Sequence, residues 1–238
     1  MFPRRRTALA LGAALTTGGL AAVALGQEDV PVPFGVTVKV APSKAGTPSR
    51  PRGIRVSVNG NVATPEGVAA PLPRSFDFWF PKDWIYNGAK RPACTRATLT
   101  NGGPAACPPA SIMGAQTGGI ALPDGHPRPR VTVVNGGRDR IYFWVVLQDP
   151  ARVQAAVTGK IAKVRSPLWS YRLHGDIPGS LQIVAGIPIT LGAFNVNAGR
   201  DDWITTTGCP RDHSWRYHLR ITATSGQSLD TGGAIACS

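Results

Sequence analysis

Apolar and polar residues alternate along several short stretches of this chain. The alternation is clearest in residues 36–40, 54–58, 76–80 and 215–221, where every second position is a large apolar side chain. Successive side chains of a β-strand point to opposite faces of the sheet, so a period of two indicates a half-buried strand. With short β-branched and aromatic runs added, the predicted strands are residues 36–40, 54–58, 76–80, 131–134, 141–147, 157–164, 168–174, 181–184, 187–196 and 215–224.

Glycine and proline separate these stretches. The 28 glycines and 22 prolines are spread along the chain rather than gathered in one linker. Beyond the N-terminal segment, no stretch keeps apolar residues at helical spacing for three turns without a glycine or proline. We therefore predict an all-β fold: a single β-sandwich of about ten strands, Ig-like or jelly-roll-like, with little helix, over residues 27–238.

Residues 141–147 are apolar at both odd and even positions, which predicts a central strand covered on both faces. The preceding Asn135-Gly136-Gly137 predicts a hairpin to residues 131–134. Residues 36–40 and 54–58 are expected to form an opening hairpin with a long loop.

Two predicted strands carry positive charge on their polar face. Period-two arithmetic places Trp169, Tyr171 and Leu173 inward in one strand, and Trp215 and its alternate neighbours inward in the other. If the two strands are neighbours, their outward side chains form a basic, histidine-bearing patch. That predicted patch consists of Arg172, His174, Arg216, His218 and Arg220.

The N-terminal 26 residues have the layout of an export signal. Three arginines, Arg4 to Arg6, precede an uncharged run over residues 7–26 that ends in small residues. We expect cleavage near Ala24 or Gly26, either by general secretion or by a twin-arginine route, and no transmembrane segment in the mature protein. A retained membrane anchor is the alternative reading of the same run.

The four cysteines lie beyond this segment, as expected for an oxidising compartment. Three pairings are possible, and short closures favour Cys94 with Cys107 and Cys209 with Cys237. The first bridge would pin an otherwise unstructured loop, and the second would tie down the C-terminus. A metal site or redox pair is the alternative, but no Cys-x-x-Cys or zinc-type Cys/His spacing occurs.

The formal net charge is +13. Removing residues 1–26 lowers Lys+Arg from 26 to 23 against 13 Asp+Glu, which leaves +10. Such a charge favours anionic partners. For an exported protein these are anionic wall polymers or lipid headgroups, and no specific nucleic-acid binding is expected.

Recognised catalytic patterns are absent from the sequence. There is no G-x-S-x-G elbow, phosphate-binding glycine loop or H-E-x-x-H motif. His213 and His218 are five apart and face opposite ways on a strand, His126 lies in a polar turn, and the adjacent Asp201 and Asp202 fit a solvated turn. We predict no catalytic residue, no metal ligand and no cofactor.

The aromatic side chains divide into two groups. Trp144, Trp169 and Trp215 lie among apolar neighbours and are predicted to belong to the core. Trp84 and Tyr86 fall in the turn P-K-D-W-I-Y-N-G and are the better exposed candidates for binding a sugar-bearing or acidic polymer. The alternative is that they cap the end of the sandwich.

Several motifs together resemble a family of uncharacterised secreted proteins from actinobacteria. They are an N-terminal strand ending in the P-x-K-A-G-T-like turn P-S-K-A-G-T, the F-P-x-x-W-like strand end F-P-K-D-W, the short cysteine loop, and T-T-G-C-P followed by a terminal cysteine. The match spans most of residues 27–238. The resemblance implies export and the same disulfide pairing, and it implies no catalytic residue or cofactor.

These observations predict an exported, noncatalytic protein of the cell envelope or extracellular space. Its basic strand faces are expected to bind anionic surface polymers. The alternative is an exported hydrolase that acts on a polysaccharide or ester through an unrecognised site, which would need a concave pocket with a perturbed carboxylate or histidine.

Overall fold

The structure is a computed structural model that describes residues 32–66, 68, 70–115, 129–190 and 192–238. The predicted signal peptide, its cleavage site and His126 lie outside the described residues. Within the described part, the chain forms antiparallel β-sheets and one short α-helix, so the all-β prediction is confirmed. No helix in this part is long and apolar enough to span a membrane.

The described residues contain sixteen strands rather than ten. They are β1 (Phe34–Ala41), β2 (Arg52–Gly53), β3 (Arg55–Val62), β4 (Pro73–Pro81), β5 (Trp84–Tyr86), β6 (Ile112–Ala115), β7 (Arg130–Asn135), β8 (Arg140–Leu147), β9 (Val153–Lys163), β10 (Trp169–Asp176), β11 (Ile183–Val184), β12 (Ile187–Pro188), β13 (Ala193–Ala198), β14 (Ile204–Thr206), β15 (Ser214–Ala223) and β16 (Ser228–Ala236). The helix α1 is Arg96–Gly102, and 3-10 turns occupy Gly88–Lys90, Pro104–Ala106, Pro109–Ser111 and Gly179–Leu181.

Eight strands form the main sheet, in the order β16-β15-β4-β10-β9-β8-β7-β6. Every neighbouring pair is antiparallel. The predicted hairpin between residues 131–134 and 141–147 is confirmed as β7 and β8, with residues 136–139 between them. β8 is the sixth strand of the sheet rather than a central one.

A second sheet has the order β1-β3-β13. β1 and β3 pair antiparallel, which confirms the predicted opening hairpin. Two smaller sheets, β2-β14-β5 and the hairpin β11-β12, complete the described part.

The main sheet and the β1-β3-β13 sheet share one hydrophobic core. Val38 and Val56 of the smaller sheet belong to the same buried cluster as Phe78, Leu173 and Leu219 of the main sheet. Alternation along each strand produces this arrangement, because the inward positions are Val, Ile, Leu or aromatic and the outward ones are polar.

The two sheets also meet at their edges. On one side, the Oη of Tyr217 in β15 donates a hydrogen bond to the carbonyl of Val36 in β1 over 2.7 Å. On the other side, the amide of Gly199, next to β13, donates to the carbonyl of Met113 in β6 over 3.0 Å. Hydrogen bonds therefore join the β1-β3-β13 sheet to β15, near one edge of the main sheet, and to β6 at the opposite edge.

Both faces of β8 are covered, as its sequence predicts. Its outward Tyr142 and Trp144 pack in a buried cluster with Leu99 of α1 and with Cys94 and Cys107. The expectation of an unstructured loop between these cysteines is wrong, because residues 96–102 form α1. Thr95 caps this helix, since its Oγ1 accepts a hydrogen bond from the amide of Thr98.

Both predicted disulfides are present. Cys94 bonds to Cys107, and Cys209 bonds to Cys237. None of the cysteines in the described part is free. The first bridge fastens the α1 segment over β8, and the second joins the end of β16 to the segment before β15.

Three details of the strand prediction are wrong. Residues 187–196 do not form one strand but divide into β12 and β13, which belong to different sheets. The last strand, β16, and the short strands β2, β5, β6 and β14 were not predicted. Trp169 does not point inward with Tyr171, because the register of β10 against β4 shifts between these two residues.

Candidate functional site

A cavity of about 260 Å³ lies between the main sheet and the β1-β3-β13 sheet. Native protein interiors contain few voids larger than a water molecule, so a space of this size is unusual. Atoms that line an unfilled space lack contact partners on one side, which costs stability.

The cavity is lined almost entirely by apolar side chains. Only Thr190 and Asn195 contribute polar aliphatic side chains, and none of the described residues that line it is ionisable. An apolar lining of this kind favours apolar molecules over water. The walls include Phe76 and Phe78 of β4, Phe143 and Val145 of β8, Val58 of β3 and Val196 of β13.

The cavity extends along the strands and also across the main sheet, where its lining reaches from Val131 of β7 to Leu219 of β15. On β8 its lining runs from Ile141 to Leu147, which at the usual rise per residue corresponds to about 20 Å. Trp84 and Trp203 contribute to the lining, and so do Leu181 and Ile189, which flank the β11-β12 hairpin.

A buried polar network adjoins the tryptophan lining. The Oδ1 of Asn135 accepts hydrogen bonds from Nε1 of Trp203 and from Oη of Tyr86, each over 3.1 Å. Burial raises the pKa of the Tyr86 phenol. By contrast, the buried Nε1 of Trp84 has no hydrogen-bond partner in the described part of the chain.

The predicted exposure of Trp84 and Tyr86 is wrong. Their exposed fractions are only 1% and 8%. The sequence P-K-D-W-I-Y-N-G forms the short strand β5, which pairs with β14 and turns both rings into the core. They are therefore not available to bind a polymer at the surface.

The predicted basic patch lies on the outer face of the main sheet, but its two strands are not neighbours. β4 runs between β10 and β15 and places Asp77 and Trp79 among the predicted residues. Trp79 pairs with Arg172 on one side and with His218 on the other. We call this surface, made of Asp77, Trp79, Trp169, Arg172, His174, Arg216, His218, Arg220 and Asp230, the outer face.

Each predicted arginine of the outer face has a carboxylate partner. This lowers the positive charge that the sequence predicts for the patch. The ion pairs are Arg172–Asp77 (2.7 Å), Arg220–Asp230 (2.8 Å) and Arg216–Asp212 (3.2 Å).

The two histidines also contact carboxylates, but different ones. His174 Nδ1 lies 2.8 Å from Asp77 Oδ1 and its Nε2 lies 3.3 Å from Asp176, whereas His218 Nε2 lies 3.0 Å from Asp230. No group of three or more metal-ligating side chains occurs in the described residues.

Asp77 is buried even though it faces outward on its strand. Burial alone would raise the pKa of its carboxyl, but hydrogen bonds from Arg172 and His174 outweigh burial and hold the pKa below its ordinary value. The carboxylate therefore holds both side chains in place.

Trp79 is the aromatic centre of the outer face. The guanidinium carbons of Arg172 and Arg220 lie 5.5 and 5.9 Å from its ring centroid, within the range of cation–π contact. The rings of His218 and Trp169 lie 4.8 and 6.3 Å from it. Trp169 reaches this position through the register shift in β10, which sequence periodicity could not indicate.

The acidic pair Asp201 and Asp202 is exposed in a turn, as predicted. Both carboxylates contact Arg91, over 3.0 and 2.6 Å. They join two loops at the surface.

A scan against protein-family models, a search of curated proteins and a search of solved structures each found no match to this chain.

Proposed function

We propose that this chain is an exported, noncatalytic binding protein of the cell envelope or extracellular space that holds an apolar ligand between its two larger sheets. In this proposal, those sheets act as the two layers of a sandwich. The observation that carries it is the apolar cavity of about 260 Å³.

The energetics of the cavity support a ligand. A molecule that fills the space restores the dispersion contacts that the empty cavity lacks. It also removes its own apolar surface from water, at roughly 25 cal/mol per Å². Both terms favour an apolar occupant.

Export is supported by other features. The two disulfides are typical of proteins that fold in an oxidising compartment. The arginine-led N-terminal segment supplies the sequence argument for translocation. The proposal does not extend to hydrolysis, since a hydrolase needs a nucleophile or general base beside its substrate, and the cavity lining supplies no ionisable group.

The proposal is tested by adding palmitic acid to protein that has been stripped of ligand. We expect one equivalent to bind, seen by native mass spectrometry, and the melting temperature to rise because only the folded state binds. Palmitic acid stands for an apolar chain in general.

Two variants at adjacent positions separate the cavity from nonspecific binding. Val145→Phe adds volume at the cavity wall, whereas Val146→Phe adds the same volume on the opposite face of β8. We expect the first variant to lose palmitate binding and the second to retain it. Absence of binding by the wild type, or equal binding by both variants, would contradict the proposal.

A second candidate function is the binding of an anionic surface polymer by the outer face. The observation that favours it is the position of Trp79 beside the guanidinium groups of Arg172 and Arg220. Such an arrangement offers N–H donors and an aromatic surface to a charged sugar polymer.

This second function is tested by sedimentation with purified cell wall at low and physiological salt. A double variant, Trp79→Ala with Arg220→Gln, is compared with Trp79→Ala with Arg55→Gln. The second removes an equal charge from an exposed arginine of β3, in the other sheet. We expect the double variant with Arg220→Gln to be retained less by the cell wall than the double variant with Arg55→Gln. Equal retention of the two would show that net charge alone attracts the protein.

A further inference from the structure

The short hairpin β11-β12 lies beside the cavity. Its two strands pair Ile183 with Pro188 and Val184 with Ile187. Ala185 and Gly186 connect them, and both have positive φ, 51° and 80°. Positive φ at both central positions is the geometry of a type I′ turn, which produces a tight and well-defined tip.

Each face of this hairpin carries an exposed isoleucine. Leu168, Ile183 and Ile187 are the large apolar side chains that are exposed in the described part of the chain, so two of the three belong to one turn. Ile183 is 55% exposed and Ile187 is 42% exposed. Because Ile183 pairs with Pro188 and Val184 pairs with Ile187, the two isoleucines lie on opposite faces of the hairpin, and exposed apolar side chains on both sides of a tight turn mark it as an interaction site.

The inside of the same segment contacts the cavity. Leu181 and Ile189, on either side of the hairpin, line the cavity. Val184 packs with Ile189 against Leu147, the last cavity-lining residue of β8. A single segment of the chain therefore forms part of the cavity wall and also presents the exposed isoleucines.

Arginines occur in the segments next to this hairpin and to its packing partners. The carbonyl of Arg74 accepts a hydrogen bond from the amide of Ile177, Arg130 pairs with Val146, and Arg152 follows Ala151, which packs against the Leu147 cluster. All three arginines are exposed. Two acidic residues lie close to these positions along the chain: Asp149 is three residues before Arg152, and Asp176 directly precedes Ile177.

We infer that the hairpin β11-β12 inserts Ile183 and Ile187 into an anionic lipid bilayer, and that the ligand is an acyl chain of a lipid from that bilayer. The inference rests on the proposed function, because it assigns a source and a chemical class to the cavity's occupant. The net charge of +10 that remains without residues 1–26, together with three exposed arginines against two aspartates in the segments next to the hairpin and its packing partners, attracts the protein to an anionic surface. Burial of the isoleucines below the headgroups then holds the tip in the membrane.

The length of the cavity accommodates an acyl chain. Its lining on β8 extends for about 20 Å along one strand. A flexible hydrocarbon chain can occupy such a space along its length. A headgroup would remain outside, since the lining offers no charged partner for it.

The experiment uses vesicles of phosphatidylcholine with and without phosphatidylglycerol that carries a pyrene-labelled acyl chain. Flotation measures vesicle binding, and pyrene fluorescence measures transfer of the labelled lipid to the protein. The double variant Ile183→Ser/Ile187→Ser is compared with Leu168→Ser. Leu168 is the third exposed large apolar side chain, and it lies directly before β10 rather than on the hairpin. Binding of free palmitic acid is measured on the same proteins.

We expect the wild type to bind vesicles that contain phosphatidylglycerol and to extract the labelled lipid. The hairpin variant should lose at least about tenfold in vesicle affinity and in transfer rate, because two apolar anchors are removed. It should still bind free palmitic acid, and Leu168→Ser should resemble the wild type. Thermal unfolding checks that the variants keep the wild-type fold, and Ile183→Ser alone provides a milder second variant.

The outcomes separate this inference from the proposed function. Palmitic acid binding with vesicle binding and lipid transfer unaffected by the hairpin variants would overturn the inference alone. Failure of the wild type to bind palmitic acid would overturn both. If analytical ultracentrifugation shows a dimer that the hairpin variants abolish, the tip is covered by a second copy of the chain and the membrane assignment is wrong.

Discussion

The Nε1 of Trp203 donates a hydrogen bond to the Oδ1 of Asn135 over 3.1 Å, and neither residue has any exposed surface. Asn135 connects the β7 strand to three other parts of the core. Its Oδ1 also accepts from the amide of Gly137, and its Nδ2 donates to the carbonyls of Gly88, Arg91 and Pro92. A buried network in which every polar atom is paired specifies one arrangement of these segments.

Trp203→Phe is expected to destabilise the protein more than Trp84→Phe. Both indoles are buried and line the cavity, so both variants lose ring volume. Only Trp203 donates its N–H to a partner, so Trp203→Phe also removes one of the hydrogen bonds to the Oδ1 of Asn135. We expect this loss to make the free energy of unfolding about 1 kcal/mol lower for Trp203→Phe than for Trp84→Phe. Urea unfolding of ligand-free protein measures both values, and an equal or larger loss for Trp84→Phe would contradict the assigned network.

Asp77→Asn is expected to lower the free energy of unfolding at pH 7 by about 1–3 kcal/mol, because it removes the charge that pairs with Arg172 and His174. The pKa of Asp77 is lower in the folded protein than its unfolded value of about 3.9. Its stabilisation is therefore present above that pH and is lost as pH falls through the folded pKa. The difference between variant and wild type should shrink accordingly.

The control for this pH dependence is Asp176→Asn. Asp176 also contacts His174, but its side chain is 79% exposed, so we expect little effect on stability at either pH. Unfolding curves are measured at pH 7 and near pH 3. A stability difference for Asp77→Asn that stays constant over this range would contradict the assigned ionisation of Asp77.

Removal of the Cys94–Cys107 bridge by a double alanine variant should cost about 3 kcal/mol in the chain-entropy account. The longer loop of the Cys209–Cys237 bridge predicts a slightly larger cost, about 3.6 kcal/mol. Only the first variant should alter the fluorescence of Trp144, because that bridge and α1 cover this ring.

The pairing itself is tested by alkylation before and after reduction, followed by intact-mass measurement. We expect no label on the unreduced protein and four labels after reduction. Modification of any of the four cysteines before reduction would show that the bridges are not formed as described.

Gly114→Ala is expected to destabilise the protein by about 1–3 kcal/mol, since an added methyl group must displace backbone. A Cβ at Gly114 in β6 would collide with the carbonyl of Asn197 in β13, at the edge where the two larger sheets meet. Gly35→Ala in β1 is the matched control, because its Cβ would meet no atom within 4 Å. Equal stability of the two variants would contradict the close approach of β6 and β13.

Local pattern predicted much of the strand content. Alternation placed Phe76, Phe78 and Leu219 inward and Arg216 and Arg220 outward, and the structure agrees, because side-chain direction in a regular strand depends only on position. The same rule failed for Trp169, since a shift in register reverses the direction of a side chain without leaving a sign in the sequence.

Long-range pairing was beyond local pattern. Nothing in the spacing of residues 168–174 and 215–224 indicates that β4 separates them, so Asp77, which pairs with Arg172, was missed. Asp230, which pairs with Arg220, was missed because it lies on β16, a strand that the sequence did not predict. The turn-like sequence around Trp84 was misread for a related reason. Its partner β14 lies more than a hundred residues away and turns it into a buried strand.

The sequence by itself determined that the chain is built of strands and which side of most strands is apolar, and it favoured the cysteine pairing that the structure shows, because each of these depends on residues close along the chain. Only the tertiary structure decided the strand order, the partners of the charged side chains, and the cavity. A cavity is the space left when two apolar faces fail to fill the volume between them, and that mismatch depends on how the sheets are held apart rather than on the composition of any one strand.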